Sequence, residues 1–226
     1  MSTQLRQDER ETHLTRVAGK GVWLLPVFGL LLAYSTIRQQ PPIQTDFEGY
    51  ARFVTTGEFL FSHLVASIGG AALAILGVGS IYILLAGGRS RRAALIGMII
   101  TVIAQVYLAS AFGSAAFVQP GIGRAYLSGE TAAAQALNAD TAYGPALFAT
   151  AASALLLWLI GTVFLAVALV RTSPRLRVAG ILYAISVPLF SLSGVIALIP
   201  LQQALAGLVL TVATVMISLR LPKDAP

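Results

Sequence analysis

The sequence predicts an all-α fold: a polytopic membrane bundle of six transmembrane helices, with both termini cytoplasmic and two long outer loops that carry short helices. Three observations predict it. Six apolar stretches approach or exceed the roughly 20 residues that a helix needs to cross a ~30 Å hydrocarbon core. Twelve of the fifteen Lys and Arg residues fall on one alternating set of flanks, the side that the positive-inside rule makes cytoplasmic, and only Arg38, Arg52 and Arg124 fall on the other. The apolar runs also lack the two-residue alternation of a membrane barrel, so each crossing is expected to be a helix. The overall composition agrees, being 57% hydrophobic and 11% charged, where soluble domains average about 25% charged residues.

The polar segment 1–20 reads as a cytosolic tail, because Arg6, Asp8, Glu9, Arg10, Glu11, Arg16 and Lys20 give it none of the layout of a signal peptide. The transmembrane domain covers 21–220, and 221–226 is a second cytosolic tail. The first crossing, 22–37, is short. Its Trp23 and Tyr34 stand at the two interfaces, where aromatic rings settle, and Pro26 lies early enough to cost no intrahelical bond. The second, 59–86, is long enough to tilt or project, and ends at Gly87-Gly88-Arg89-Ser90-Arg91-Arg92. The third covers 94–118 and the fourth 145–170, stopped by the turn from Arg171 to Arg177. The fifth runs over 178–198 with Pro188 amid Ser186, Ser191 and Ser193, a pattern for a kink satisfied by serine hydroxyls. Pro200 breaks the chain before the sixth, 201–219.

The outer loops are roughly twenty and twenty-five residues long, a length that usually carries structure or function. In the first, Asp46 is placed to cap a short helix with Phe47, Tyr50, Phe53 and Val54 on one face and Glu48, Arg52 and Thr55 on the other, the pattern of a helix lying on the outer leaflet. The second opens on the turn-rich stretch Gln119-Pro120-Gly121-Ile122-Gly123-Arg124 and continues into the helix-favouring Glu130–Leu137.

Composition also excludes chemistries. Without cysteine there are no disulfides, thiolate nucleophiles or Cys-bound iron–sulfur clusters. The net charge of +6 lies in short clusters beside apolar segments, so it reads as topogenic and gives no nucleic-acid surface. No Asp, Glu, Lys or Arg falls in the central part of any crossing, which argues against ion-coupled transport, and no intramembrane lysine is available for a Schiff base. No spacing marks a catalytic, metal or cofactor site.

The remaining candidates are polar residues near or within the membrane. On the third crossing Gly97, Thr101, Gln105, Ala109 and Gly113 recur every four residues, a stripe suited to close helix packing, with Gln105 seeking a hydrogen-bond partner near the midplane or lining a cavity. His63, counted back from Ala86, reaches the outer interface, where Glu58 is near in sequence. Arg38, Arg52 and Arg124 are candidates for anionic groups outside the membrane. His63, Gln105, Arg52, Arg124 and Glu58 are thus the residues expected at a ligand site.

The layout from Arg16-Val17-Ala18-Gly19 through Ala142-Tyr143-Gly144-Pro145 to the Arg171–Gly180 turn resembles a large group of uncharacterised six-helix bacterial membrane proteins defined only by a domain of unknown function. The resemblance implies a helical bundle in the bacterial cytoplasmic membrane and assigns no residue a role. The expectation for function is a non-enzymatic accessory or small-ligand- or lipid-binding bundle, with membrane lipids and a homo-oligomer or larger membrane complex as partners and no cofactor. The alternatives are a small transporter or channel for a neutral solute, with Gln105 and Pro188 near its path, and a membrane enzyme using His63 with Glu58 or Arg124.

Overall fold

The computed structural model describes residues 2–193 and 201–221. Among them, six helices are long and apolar enough to cross a membrane: Thr12–Ser35, Gly57–Leu85, Arg91–Leu127, Pro145–Thr172, Pro174–Ser193 and Gln202–Arg220. These are the six predicted crossings, and the chain is a multi-pass, all-α membrane bundle.

The first crossing is built from two helices. α1 (Ser2–Gly21) runs into it and breaks at Val22 and Trp23, and α2 (Leu24–Ser35) completes it, so the short apolar stretch borrows its missing length from the end of the polar segment. α3 (Phe47–Val54) follows as the loop helix. The second crossing begins as α4 (Gly57–Phe61), whose end is capped by the Thr56 hydroxyl accepting the Phe59 N–H at 3.1 Å. It widens into a π-helical segment, Ser62–Gly69, and tightens again into α5 (Gly70–Leu85). α6 (Arg91–Leu127) is the third crossing, α7 (Thr131–Asp140) the second loop helix and α8 (Pro145–Thr172) the fourth crossing. A 3-10 turn, Pro174–Leu176, leads into α9 (Arg177–Ser193), and α10 (Gln202–Arg220) is the last. The expected end of the fifth crossing beyond Ser193, the break at Pro200 and the tail after Leu221 lie outside the described residues.

Crossings adjacent in sequence pack side by side and α10 returns against α2, so α2, α5, α6, α8, α9 and α10 close into a ring. Its interior is filled by side chains: Trp158 of α8 sits between Phe28 of α2 and Phe190 of α9, with ring centroids 5.9 Å away on both sides. No acidic or basic side chain is buried among the described residues, whereas Leu76, Leu156, Val212 and other large apolar side chains face outward. That arrangement suits a lipid surround.

Lipid is as apolar as leucine, so membrane helices gain most from packing closely, which small residues permit. The α6–α8 seam shows this at Gly97 and Gly161: a Cβ on Gly161 would stand 2.4 Å from Thr101 Oγ1 and 2.8 Å from Thr101 N. The small-residue stripe expected on the third crossing is, at Gly97 and Thr101, this packing face.

Two loop expectations are corrected. The stretch 119–124 is not a turn. α6 continues helically through Pro120 to Leu127 and, at 1.5 Å per residue, is about 55 Å long, so its last turns rise well beyond a ~30 Å core. Gly123 serves contact rather than turning, since a Cβ there would meet the Ala51 carbonyl oxygen of α3 at 2.7 Å. α3, accordingly, does not lie on the leaflet with its apolar face in lipid. Asp46 caps it as expected, Oδ1 accepting the Gly49 N–H at 2.8 Å, but Tyr50 and Val54 are buried against protein. The α6 extension supplies a nearer apolar surface than the membrane does. Around Pro188 in α9, Ser186 donates to the Tyr183 carbonyl and Ser193 to that of Leu189, while the Ser191 hydroxyl is buried without a partner.

Candidate functional site

The end of the bundle opposite the two termini is capped by α3 and α7, which pack on the projecting part of α6. Its centre is a buried polar contact, Tyr50 Oη donating to Asn138 Oδ1 at 2.8 Å. Gln40 donates to the Tyr143 phenol beside it, and Phe47 stacks at 5.2 Å from Tyr50 and 4.8 Å from Tyr126. This network ties the first loop to α7 and to the start of α8. Burial, with the neighbouring Tyr143, pushes the Tyr50 phenol well above the usual tyrosine range. A raised folded-state value means that its stabilisation is complete below about pH 10, where the unfolded chain's tyrosine is still protonated, and is lost as pH climbs above it. Tyr50→Phe is expected to loosen the cap by about 1–3 kcal/mol, because Asn138 is left buried without its donor. Faster amide exchange across Phe47–Val54 and Thr131–Asp140, and a Tyr50-dependent loss of protection above pH 10, are the readouts.

At the same end of the bundle, beside Phe53 of α3, lies a cavity of about 410 Å³. Its walls come from the end of α2 and the chain following it, from α4 and the π segment, and from the facing ends of α9 and α10. Arg38 and Glu58 meet at its rim, Nε to Oε1, 2.8 Å apart and both partly exposed. His63 lies on the wall between Phe59 and Phe112, with ring centroids 4.1 and 6.4 Å away. His63 lies near the start of the second crossing, six residues after Gly57 and far from its other end at Leu85.

The π segment sets how His63 is held. π-helical turns are uncommon and concentrate at functional sites. Here the widened turn is marked by Ser67 Oγ donating to the Ser62 carbonyl five residues back, at 3.1 Å. Ser62 Oγ and His63 Nδ1 each lie 2.9 Å from the Phe59 carbonyl oxygen and 3.1 Å from each other. A carbonyl only accepts, so Nδ1 carries the proton and has no lone pair with which to take one from Ser62. The serine is not an activated nucleophile. The imidazole's remaining nitrogen, Nε2, is the acceptor, on the ring edge turned away from that carbonyl.

The structure thus brings two of the expected site residues, His63 and Glu58, to one cavity and disperses the other three. Arg52 pairs with Glu48 along α3, 2.7 Å apart, on the exposed side of that helix. Arg124 is exposed on the α6 extension and has no ion pair among the described residues. Gln105 is buried in the bundle, away from the cavity, and neither its amide oxygen nor its nitrogen has the expected hydrogen-bond partner. Arg38, singled out in the sequence as a cation on the sparse side, is the arginine that reaches the site. Ser62, Gln40 and Gln203 also line it, and only tertiary packing collects them.

The chain matches no family model, no curated protein and no solved structure. The functional reading therefore rests on the geometry of this cavity.

Proposed function

We propose that this protein is a non-enzymatic, ligand-binding membrane bundle, seated in the bacterial cytoplasmic membrane with its termini inside, which holds a small amphiphile or lipid headgroup at its capped, outward end. The observation that carries the reading is the cavity of about 410 Å³ in which a charged pair and an imidazole stand beside aromatic walls. Its size falls within the roughly 300–1,000 Å³ of small-molecule sites. The orientation is supported by the accumulation of Lys and Arg at the end that holds the termini. The bacterial placement follows the family resemblance.

Binding is favoured over catalysis because the adjacent Ser62 hydroxyl meets the ring at Nδ1, the nitrogen that carries the proton, and so gains nothing as a nucleophile. It is favoured over transport because Gln105, the midplane amide expected along a path, does not line the cavity. Native mass spectrometry of the protein extracted with its surrounding membrane tests the reading. The wild type is expected to retain an amphiphile that Ser62→Trp and Gln203→Trp, each filling the cavity from a different wall, release. Equal retention in all three proteins would sink it, as would steady turnover of a substrate by the reconstituted chain.

A further inference from the structure

We infer that the cavity selects a net-neutral group carrying an oxyanion and a primary ammonium, the chemistry of a phosphoethanolamine headgroup. The inference rests on the ligand-binding reading of the same cavity and names what it recognises.

Among the described residues lining the cavity, the charged side chains are one arginine and one glutamate, so the wall is electrically balanced. Arg38 and Glu58 touch each other at 2.8 Å and have no other polar partner among the described residues. A guanidinium has five N–H donors and a carboxylate two acceptor oxygens, so most of the bonding capacity of both groups is unused. Their side chains are 67% and 42% exposed, and a solvated pair of this kind is opened at little cost. A phosphate on the guanidinium and an ammonium on the carboxylate replace one contact by two charge-assisted ones and leave no charge unmatched.

Other headgroups fit less well. A net-anionic one gains Arg38 but faces Glu58, and a net-cationic one gains Glu58 but faces Arg38. A quaternary ammonium is the right charge with no N–H to donate. The primary ammonium has three donors, and His63 gives it a second acceptor: with Nδ1 donating to Phe59, the neutral ring presents its Nε2 lone pair. Tyr34, Phe53 and Phe59 then offer apolar wall to the carbon chain that a lipid carries.

The test uses the full chain in phosphatidylcholine nanodiscs doped with phosphatidylethanolamine or phosphatidylglycerol of the same acyl chains, and reads retained lipid by native mass spectrometry. The wild type is expected to prefer the ethanolamine lipid by about tenfold or more, the worth of one charge-assisted hydrogen bond. Glu58→Gln is expected to reverse the preference toward phosphatidylglycerol by leaving Arg38 unopposed, and Arg38→Gln to lose the ethanolamine lipid. The double exchange Arg38→Glu with Glu58→Arg keeps the pair and is expected to keep the lipid. Added glycerophosphoethanolamine distinguishes the source: displacement of the lipid assigns recognition to the headgroup alone, and failure to displace assigns it to the lipid as a whole. Equal retention of the two lipids by the wild type, or an unchanged preference in Glu58→Gln, would overturn the inference while leaving the ligand-binding reading intact. Retention of neither lipid, in a protein that still releases a native amphiphile on Ser62→Trp, would do the same. If no amphiphile is retained under any condition, both fall.

Discussion

Gly161→Val is expected to be the most damaging single substitution in the bundle. The first atom of a side chain there would lie 2.4 Å from Thr101 Oγ1, 2.8 Å from Thr101 N and 3.1 Å from the Gly97 carbonyl oxygen. A rotating hydroxyl can move aside, but two of these three atoms are backbone, so relief requires α6 and α8 to separate. That separation strips van der Waals contact from the most extensive helix pair of the fold, and between membrane helices such contact is the principal attraction. The loss should exceed the about 1–3 kcal/mol typical of overpacked cores. Gly79→Val is the matched control: no atom lies within 4 Å of its Cβ position, and a change of no more than about 0.5 kcal/mol is expected there. Equilibrium unfolding in mixed micelles measures both. Equal midpoints for the two variants would show that the α6–α8 contact does not have the weight given to it.

Trp158→Ala is expected to cost about 3–5 kcal/mol, in the range for deleting a large buried aromatic. The physical reason is the ring arrangement of the crossings. Helices packed in a closed circuit leave space along their common axis, and Trp158, 2% exposed and bracketed by Phe28 and Phe190, occupies it. No neighbour can fold inward to fill the gap without breaking a seam. Trp158→Phe should recover part of the loss. The chain has only one other tryptophan, Trp23, which is partly exposed, so intrinsic fluorescence during unfolding separates the core from the end of the bundle. A Trp158→Ala protein as stable as the wild type would contradict the filled-ring account.

The candidate site was only partly legible in the sequence, for reasons that differ residue by residue. His63 was placed at the interface because depth in a membrane follows from counting along a helix, a one-dimensional quantity. Glu58 is near His63 in sequence, and that proximity alone makes it a candidate partner. Arg38 was visible as one of three cations on the sparsely charged side, but nothing local distinguished it from Arg52, which is held by Glu48 one helical turn away, or from Arg124. Gln203 comes from the far end of the chain and joins the cavity because α10 packs against α2. The π segment left no signature either. Ser62–Gly69 reads as ordinary apolar helix, whereas in the fold it is the widened segment that packs against α2 and α6.

The same division holds for the whole fold. The sequence by itself determined the class, the six crossings and the alternation of their flanking charges, because transfer of apolar residues into hydrocarbon and the exclusion of charge from it act on each segment separately. Tertiary structure alone decided the closure of the ring, the helical continuation of α6 through Pro120, the burial of α3 against that continuation and the meeting of Arg38, Glu58 and His63 at one cavity. Each of these is a contact between segments distant in the chain. In a lipid surround such contacts are chosen by shape and by the pairing of polar groups, neither of which hydropathy records.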